Sequence, residues 1–251
     1  MGKRMVGKRS GECLMKEYIK NLIKKIPFAF TKNQQYDQQT KAILKKHLHK
    51  TSNCIDVGCH KGEMLDEILK FAPEGQHYCF EPIPHLYDEL PKKFGKNCHF
   101  YCLGLSDTKG ETSFNYVISN PSYSGFERRE YDKPDEKDTV IQVKTDLLDN
   151  IIPSDVTIDF IKIDVEGAEL QVLLGAKQLI KRCHPVIVFE HGMGAADVYG
   201  TTPQQVYQFL VHECCMKVSL MKDWLCDKTP LSEVAFIKQF EKKENYYFIA
   251  Y

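Results

Sequence analysis

Ile55-Asp56-Val57-Gly58-Cys59-His60-Lys61-Gly62-Glu63 is the stretch that decides how this chain folds. It leaves an apolar run, residues 53–57, and enters residues 63–71, where apolar positions recur at helical spacing. A strand that turns through two glycines into a helix is the opening βα unit of an α/β sheet. Glycines let the backbone approach a ligand closely, and the new helix offers N–H groups that have no partner of their own.

Working outward, a helix is predicted over residues 38–50, ahead of the turn. A strand over 77–80, a helix over 84–94 and a strand over 98–103 follow it. Strand alternating with helix at this pitch means βαβ units and a parallel sheet. Residues 111–145 break the rhythm with polar turns such as Ser119-Asn120-Pro121-Ser122. They read as a β-rich insertion with a mobile loop around Ser124 and Gly125. The α/β pattern then resumes with a strand over 158–163, a helix over 169–180, a strand over 185–189 and a helix over 203–213. Two tail strands, 217–220 and 245–250, complete the sequence reading. The expected class is a Rossmann-like α/β domain over residues 36–251, behind an extension over residues 1–35.

A chain of 251 residues can bury a full core. Its 43% hydrophobic and 27% charged residues are ordinary for a soluble enzyme, and zero formal net charge gives no global field for nucleic acid. Charge is nevertheless uneven, with eight basic against two acidic residues in positions 1–25. There Leu14, Tyr18, Ile19, Leu22, Ile23 and Ile26 recur at helical spacing. Such a helix can make a peripheral membrane contact through residues 1–30. The preferred reading packs it on the domain's own flank with its lysines in water. No apolar run reaches membrane-spanning length, no secretory core is present, and Val6 breaks the myristoylation pattern that Gly2 begins. Ten cysteines include no C-x-x-C pair, and Cys54, Cys79 and Cys102 lie in apolar runs. Reduced, buried thiols and a cytoplasmic setting are expected, with no metal required.

Four stretches carry chemistry. The first is the glycine turn, whose D-x-G-x-x-x-G spacing differs from the G-x-G-x-x-G of dinucleotide binding. An acid there would repel a pyrophosphate but suits the ammonium and sulfonium of S-adenosylmethionine. The second is Glu81, 19 residues beyond Gly62 at a strand end, where a carboxylate accepts from ribose hydroxyls. The third is Phe160-Ile161-Lys162-Ile163-Asp164-Val165-Glu166-Gly167-Ala168-Glu169, which places Asp164 and Glu166 at the end of a buried strand. Glu169 suits the first turn of a helix for dipole reasons alone. The fourth is Val188-Phe189-Glu190-His191, expected to bring Glu190 and His191 to the same cleft as Asp164.

These stretches together resemble the FkbM family of S-adenosylmethionine-dependent methyltransferases, over roughly residues 40–195. Leu103-Gly104-Leu105-Ser106-Asp107 adds to the match, and Lys162-Ile163-Asp164-Val165-Glu166-Gly167-Ala168-Glu169 is its most diagnostic run. The resemblance implies the class I fold, a mostly parallel seven-stranded sheet with helices on both faces. It further implies that Asp56, Gly58 and Gly62 line the methionine and sulfonium end of S-adenosylmethionine, with His60 in the turn between them. By the same resemblance Glu81 holds the ribose, and Ser106 and Asp107 lie beside the adenine. His60 stands where the family usually has Asn.

The implied reaction is O-methylation of a sugar, glycan or small-molecule hydroxyl, and such an acceptor needs a general base. The candidates are Asp164, His191, Glu190 and Glu166, with Asp164 or His191 preferred as base and Glu190 orienting the acceptor. A dehydrogenase shares the fold but needs another glycine spacing, and a non-catalytic module would have lost Asp56, Gly58, Gly62 and Glu81. An RNA or protein methyltransferase is the remaining alternative, although neutral charge argues against nucleic acid. Tyr116, Tyr123, Tyr131 and Tyr199 are expected either to stack on a sugar or to cover the core.

Overall fold

The described residues form ten strands: β1 Cys54–Val57, β2 His77–Phe80, β3 Cys98–Tyr101, β4 Gly104–Leu105, β5 Gly110–Val117, β6 Asp138–Asp146, β7 Phe160–Ile163, β8 Val186–Glu190, β9 Val218–Leu220 and β10 Tyr247–Ala250. They come from a computed structural model that describes residues 31–131 and 135–251, so the expected helix within residues 1–30 lies outside the described residues. Residues 40–251 form one compact unit.

Seven strands make the main sheet in the order β3-β2-β1-β7-β8-β10-β9. The first five are parallel, and β10 runs antiparallel to both of its neighbours. Every residue of β1, β2 and β7 is buried, as near-continuous apolar runs covered on both faces require. Register sets the site. Val57 pairs with Phe80 and Ile163, and Ile163 pairs with Phe189, so the ends of β2, β1, β7 and β8 are level. Residues just past them form one rim. Strand order reverses between β1 and β7, the switch point where open α/β sheets bind ligands.

The helices depart from expectation for identifiable reasons. Glu63–Phe71 forms as predicted and buries Leu65 and Ile68. The helix expected over 84–94 is two short ones, Pro84–Tyr87 and Leu90–Lys93, each with proline in its first turn, where no N–H partner is lost. The helix expected over 169–180 breaks at Gly175 into Glu169–Leu174 and Lys177–Cys183. A Cβ at Gly175 would lie 2.1 Å from the Ser106 carbonyl oxygen, so the neighbouring strand segment packs directly on that break. Two tail helices, Met221–Leu225 and Glu233–Glu241, were not legible as periodic segments. Among the described residues no helix is long and apolar enough to cross a membrane.

The insertion is a separate three-stranded sheet, β4-β6-β5, in which β5 and β6 are antiparallel. Its loop is pinned where mobility was expected. Gly125 exchanges backbone hydrogen bonds with Asn115 at 2.8 and 3.2 Å, and Ser124 Oγ accepts from the Val117 N–H.

His191 also departs from expectation. Glu190 and His191 do not face one cleft, because successive residues of an extended chain point to opposite sides. Glu190 turns to the rim. The His191 ring slots between Phe236 and Phe240, with centroids 5.8 and 4.7 Å away and planes inclined by 14° and 21°. It is 1% exposed, and neither ring nitrogen has a hydrogen-bond partner. Burial lowers its pKa from 6.5 to about 4. The unfolded chain therefore takes up a proton at higher pH than the folded one, and stability is lost as pH falls from 6.5 towards 4. We expect the drop in unfolding free energy between about pH 7 and about pH 4.5 to shrink by about 2 kcal/mol in His191→Phe, measured by urea denaturation.

Candidate active site

The β1 turn and the end of β7 touch backbone to backbone. A Cβ at Gly58 would lie 2.0 Å from the Asp164 carbonyl oxygen, and Gly58 has φ 77°, so glycine is required twice over. Gly58 N–H and Cys59 N–H both donate to the Phe80 carbonyl, at 3.0 and 3.1 Å, which ties the turn to β2. His60 adopts φ 49°, a left-handed conformation that Asn, Asp and His enter more readily than other side chains. The exchange of Asn for His at this position is therefore a mild one. At Gly62 the constraint is packing, since a Cβ would come 2.5 Å from the Phe94 ring.

That turn and β2 hold two buried acids. Glu81 accepts from the His60 N–H at 2.8 Å with one oxygen and from the Ile83 N–H at 2.9 Å with the other. Each oxygen retains a lone pair for a further donor. Burial raises the Glu81 carboxyl pKa, and the two amide bonds oppose the rise. Asp56 pairs in register with Lys162 of β7 and is 2% exposed, and its Oδ2 has no hydrogen-bond partner. Burial pushes its carboxyl up to about 7, with Lys162 pulling it back. An unsatisfied buried carboxylate oxygen is costly, and it suits an arriving cation or donor.

Across the switch point, one oxygen from each of Asp164, Glu166 and Glu190 lies within 4.8 Å of the others. Asp164 Oδ2 accepts from Lys162 Nζ at 2.8 Å and from the Tyr247 hydroxyl at 2.6 Å. Lys162 Nζ also sits 4.6 Å from the centre of the Tyr247 ring. Burial disfavours charge on Asp164, yet Lys162 and the hydrogen bonds from Tyr247 and Glu190 hold it below the usual carboxylate range. Glu190 is driven well above that range by burial and then by Asp164, Glu166 and Glu169. The two carboxyls of the pair are thus shifted in opposite directions.

Glu166, at φ 60°, pairs with Arg129 Nη1 at 2.8 Å. Burial pushes its carboxyl up to about 8, Arg129 pulls it back, and Asp164 and Glu169 add to the rise. Glu169 accepts from Val165 N–H and Gly167 N–H, both at 3.1 Å, and so braces the turn. One cation could reach all three oxygens of the cluster, but Lys162 and Arg129 already bring positive charge to it.

The rim thus gathers Asp56, Gly58, His60, Gly62 and Glu81 on one side, and Asp164, Glu166 and Glu190 on the other. Ser106 and Asp107 are placed elsewhere. The Ser106 backbone lies against Gly175, at the opposite end of helix Glu169–Leu174 from the Gly167 turn, and Asp107 is exposed beside the Ser106 and Thr108 hydroxyls. Three important residues were missed from sequence. Lys162 carried a signal, a lone cation in an otherwise apolar buried strand, which demands a partner. Tyr247 and Arg129 carried none, because each reaches the rim from a distant segment. Tyr199 places its hydroxyl 3.0 Å from the Glu127 N–H and its ring where a Gly167 side chain would be, which joins the insertion to the β7 turn. Tyr123 and Tyr131 stack on each other at 6.3 Å. A cleft of about 190 Å³ opens beside Glu190, walled by Arg129, Met193, Phe240, Lys243 and Tyr246 among others.

Comparison with known proteins fits this geometry. A family model described as the methyltransferase FkbM domain matches residues 56–217. The chain is 26% identical over 147 residues to 2-O-methyltransferase NoeI of Sinorhizobium fredii, a match that covers 51% of this chain and 58% of NoeI. It therefore spans little more than half of that curated relative. A crystal structure of methyltransferase FkbM from Methylobacillus flagellatus matches 81% of this chain and 44% of its own, with TM-score 0.50 and 14% identity. The plantazolicin methyltransferase BpumL, in complex with SAH and a triazolic desmethylPZN analog, matches 97% of this chain and 90% of its own, with TM-score 0.46 and 11% identity. The matched segment runs from the acid of the glycine turn through both halves of the rim, and the chain belongs to the FkbM domain family of S-adenosylmethionine-dependent methyltransferases.

Proposed function

We propose that this chain methylates a hydroxyl of a sugar, glycan or small-molecule product. The observation that carries the reading is the Asp164–Glu190 pair, two adjoining buried carboxyls shifted in opposite directions, with an open cleft beside Glu190. S-adenosylmethionine supplies an electrophilic methyl group on a sulfonium. The residues of the glycine turn fit it. Glu81 has lone pairs left for a ribose diol, and the unpartnered Oδ2 of Asp56 suits the cationic methionine end.

An alcohol is a poor nucleophile at neutral pH, so it must be aligned and relieved of its proton. Asp164, held ionised by Lys162 and Tyr247, takes that proton in this reading. Glu190, protonated and on the cleft wall, orients the acceptor oxygen. Glu166 and Arg129 fix the turn that carries Asp164. His191 has no part in the reaction, because its ring is closed in by Phe236 and Phe240. The name of NoeI, a 2-O-methyltransferase, supports hydroxyl chemistry.

The direct test is labelled-methyl transfer from S-adenosylmethionine into fractionated glycan, lipid, small-molecule and RNA pools. Label in the glycan or small-molecule pool is expected, and label confined to the RNA or lipid pool would replace this reading. Glu81→Gln should weaken S-adenosylhomocysteine binding by about ten- to a hundredfold in calorimetry, as loss of a charged acceptor implies. Asp164→Asn should lower turnover by about 10²–10⁴-fold while leaving S-adenosylhomocysteine affinity nearly unchanged. His191→Phe should keep wild-type turnover in the same assay.

A further inference from the structure

Resting on the methyl-transfer reading, we propose that the cleft beside Glu190 is the acceptor site and takes a hydroxylated ring bearing a carboxylate, an acidic sugar gripped by Arg129. Position is the first support. Glu190 lines the cleft and also belongs to the carboxylate cluster, so a hydroxyl on a ring seated there reaches Glu190, whose carboxyl adjoins Asp164.

Charge is the second. The charged groups on the cleft wall are Arg129, Lys243 and Glu190. Burial and the carboxylates behind it hold the Glu190 carboxyl well above its ordinary range, so the charge on this wall is mainly positive. Glu166 answers Arg129 from behind, through Nη1 alone. A guanidinium has five N–H donors in a rigid fork, so one ion pair leaves others for a ligand. The Arg129 Nε has no partner, and the guanidinium lies 4.5 Å over the Tyr123 ring. Glu166 and Tyr123 thus hold in place a fork whose donors are only partly used. Planar bidentate recognition of carboxylate is what such a fork does well.

Shape is the third. Phe240, Tyr246 and Met193 supply the apolar part of the wall, and Asn245 adds a polar group, the mixture that orients a ring in a small-molecule site. Arg129 comes from the insertion, whereas Glu190, Met193 and Phe240 come from the main domain. The insertion would therefore select the acceptor, and the sheet rim would perform the transfer.

The test uses the whole chain, first titrated with S-adenosylhomocysteine and then with methyl glucuronide or methyl glucoside, which differ only in the carboxylate. Failure to bind S-adenosylhomocysteine would count against the methyl-transfer reading, whereas the sugar comparison decides the present proposal. We expect the acid to bind at least about tenfold more tightly than the neutral sugar, as one charge-assisted pair implies. That preference should weaken at high salt and in Lys243→Gln, fall partway in Arg129→Lys and vanish in Arg129→Gln. Equal binding of the two sugars, no binding of either, or a preference that survives Arg129→Gln would overturn it and leave Arg129 a structural tie between insertion and domain. Lys243→Gln does not touch the Glu166 pair, so it tests the charge argument even if Arg129→Gln proves unstable.

Discussion

The close approach of Gly58 to the Asp164 carbonyl oxygen governs the rest of this site. It brings the β1 turn and the β7 turn together at the switch point between β1 and β7, so the acids of the glycine turn and the carboxylate cluster share a single rim. Level register across β2, β1, β7 and β8 does the same for Glu81 and Glu190. A side chain at position 58 would push apart the two halves that the fold exists to join.

Bringing so many acids together has an electrostatic consequence. Asp56, Asp164, Glu166, Glu169 and Glu190 are held near one another with Lys162 and Arg129 as the cations among them. Carboxylates sharing a low-dielectric site cannot all ionise. Lys162 and Tyr247 determine that Asp164 is the one held below its ordinary range, and the others rise. Some backbone strain lies in the same region. His60 and Glu166 adopt left-handed conformations at the two turns, and Lys243 does so on the cleft wall. Such strain costs of order 1–3 kcal/mol per residue and persists only where surrounding contacts over-determine it.

The insertion is part of the site, because its loop is fastened at several points. Gly125 bridges to Asn115, Tyr199 reaches the Glu127 amide, and Arg129 pairs with Glu166. These ties carry a cation to the mouth of the acid cluster and explain why a loop rich in Ser, Asn and Pro is not free.

Much was legible in the sequence because it depends on local rules. Apolar runs of four or five residues gave the buried parallel strands, glycine and acid spacing gave the β1 turn, and Glu81 followed from its distance to that turn. Helix breaks at Gly175 and between residues 87 and 90 were hidden, since periodicity continues through them while packing does not. The packing of Ser106 on Gly175 was hidden for a related reason, because a motif fixes order along the chain and not the helix end on which it lands. His191 was misread because a polar residue after a strand suggests a rim position, whereas alternation turned it into an aromatic layer built by a distant helix. The sequence by itself determined the fold class, the glycine turn and the acids available to it. Only the tertiary structure decided which acid is held below its ordinary range and which cation faces the cleft, because those depend on Lys162, Tyr247 and Arg129 meeting the rim from three separate strands and loops.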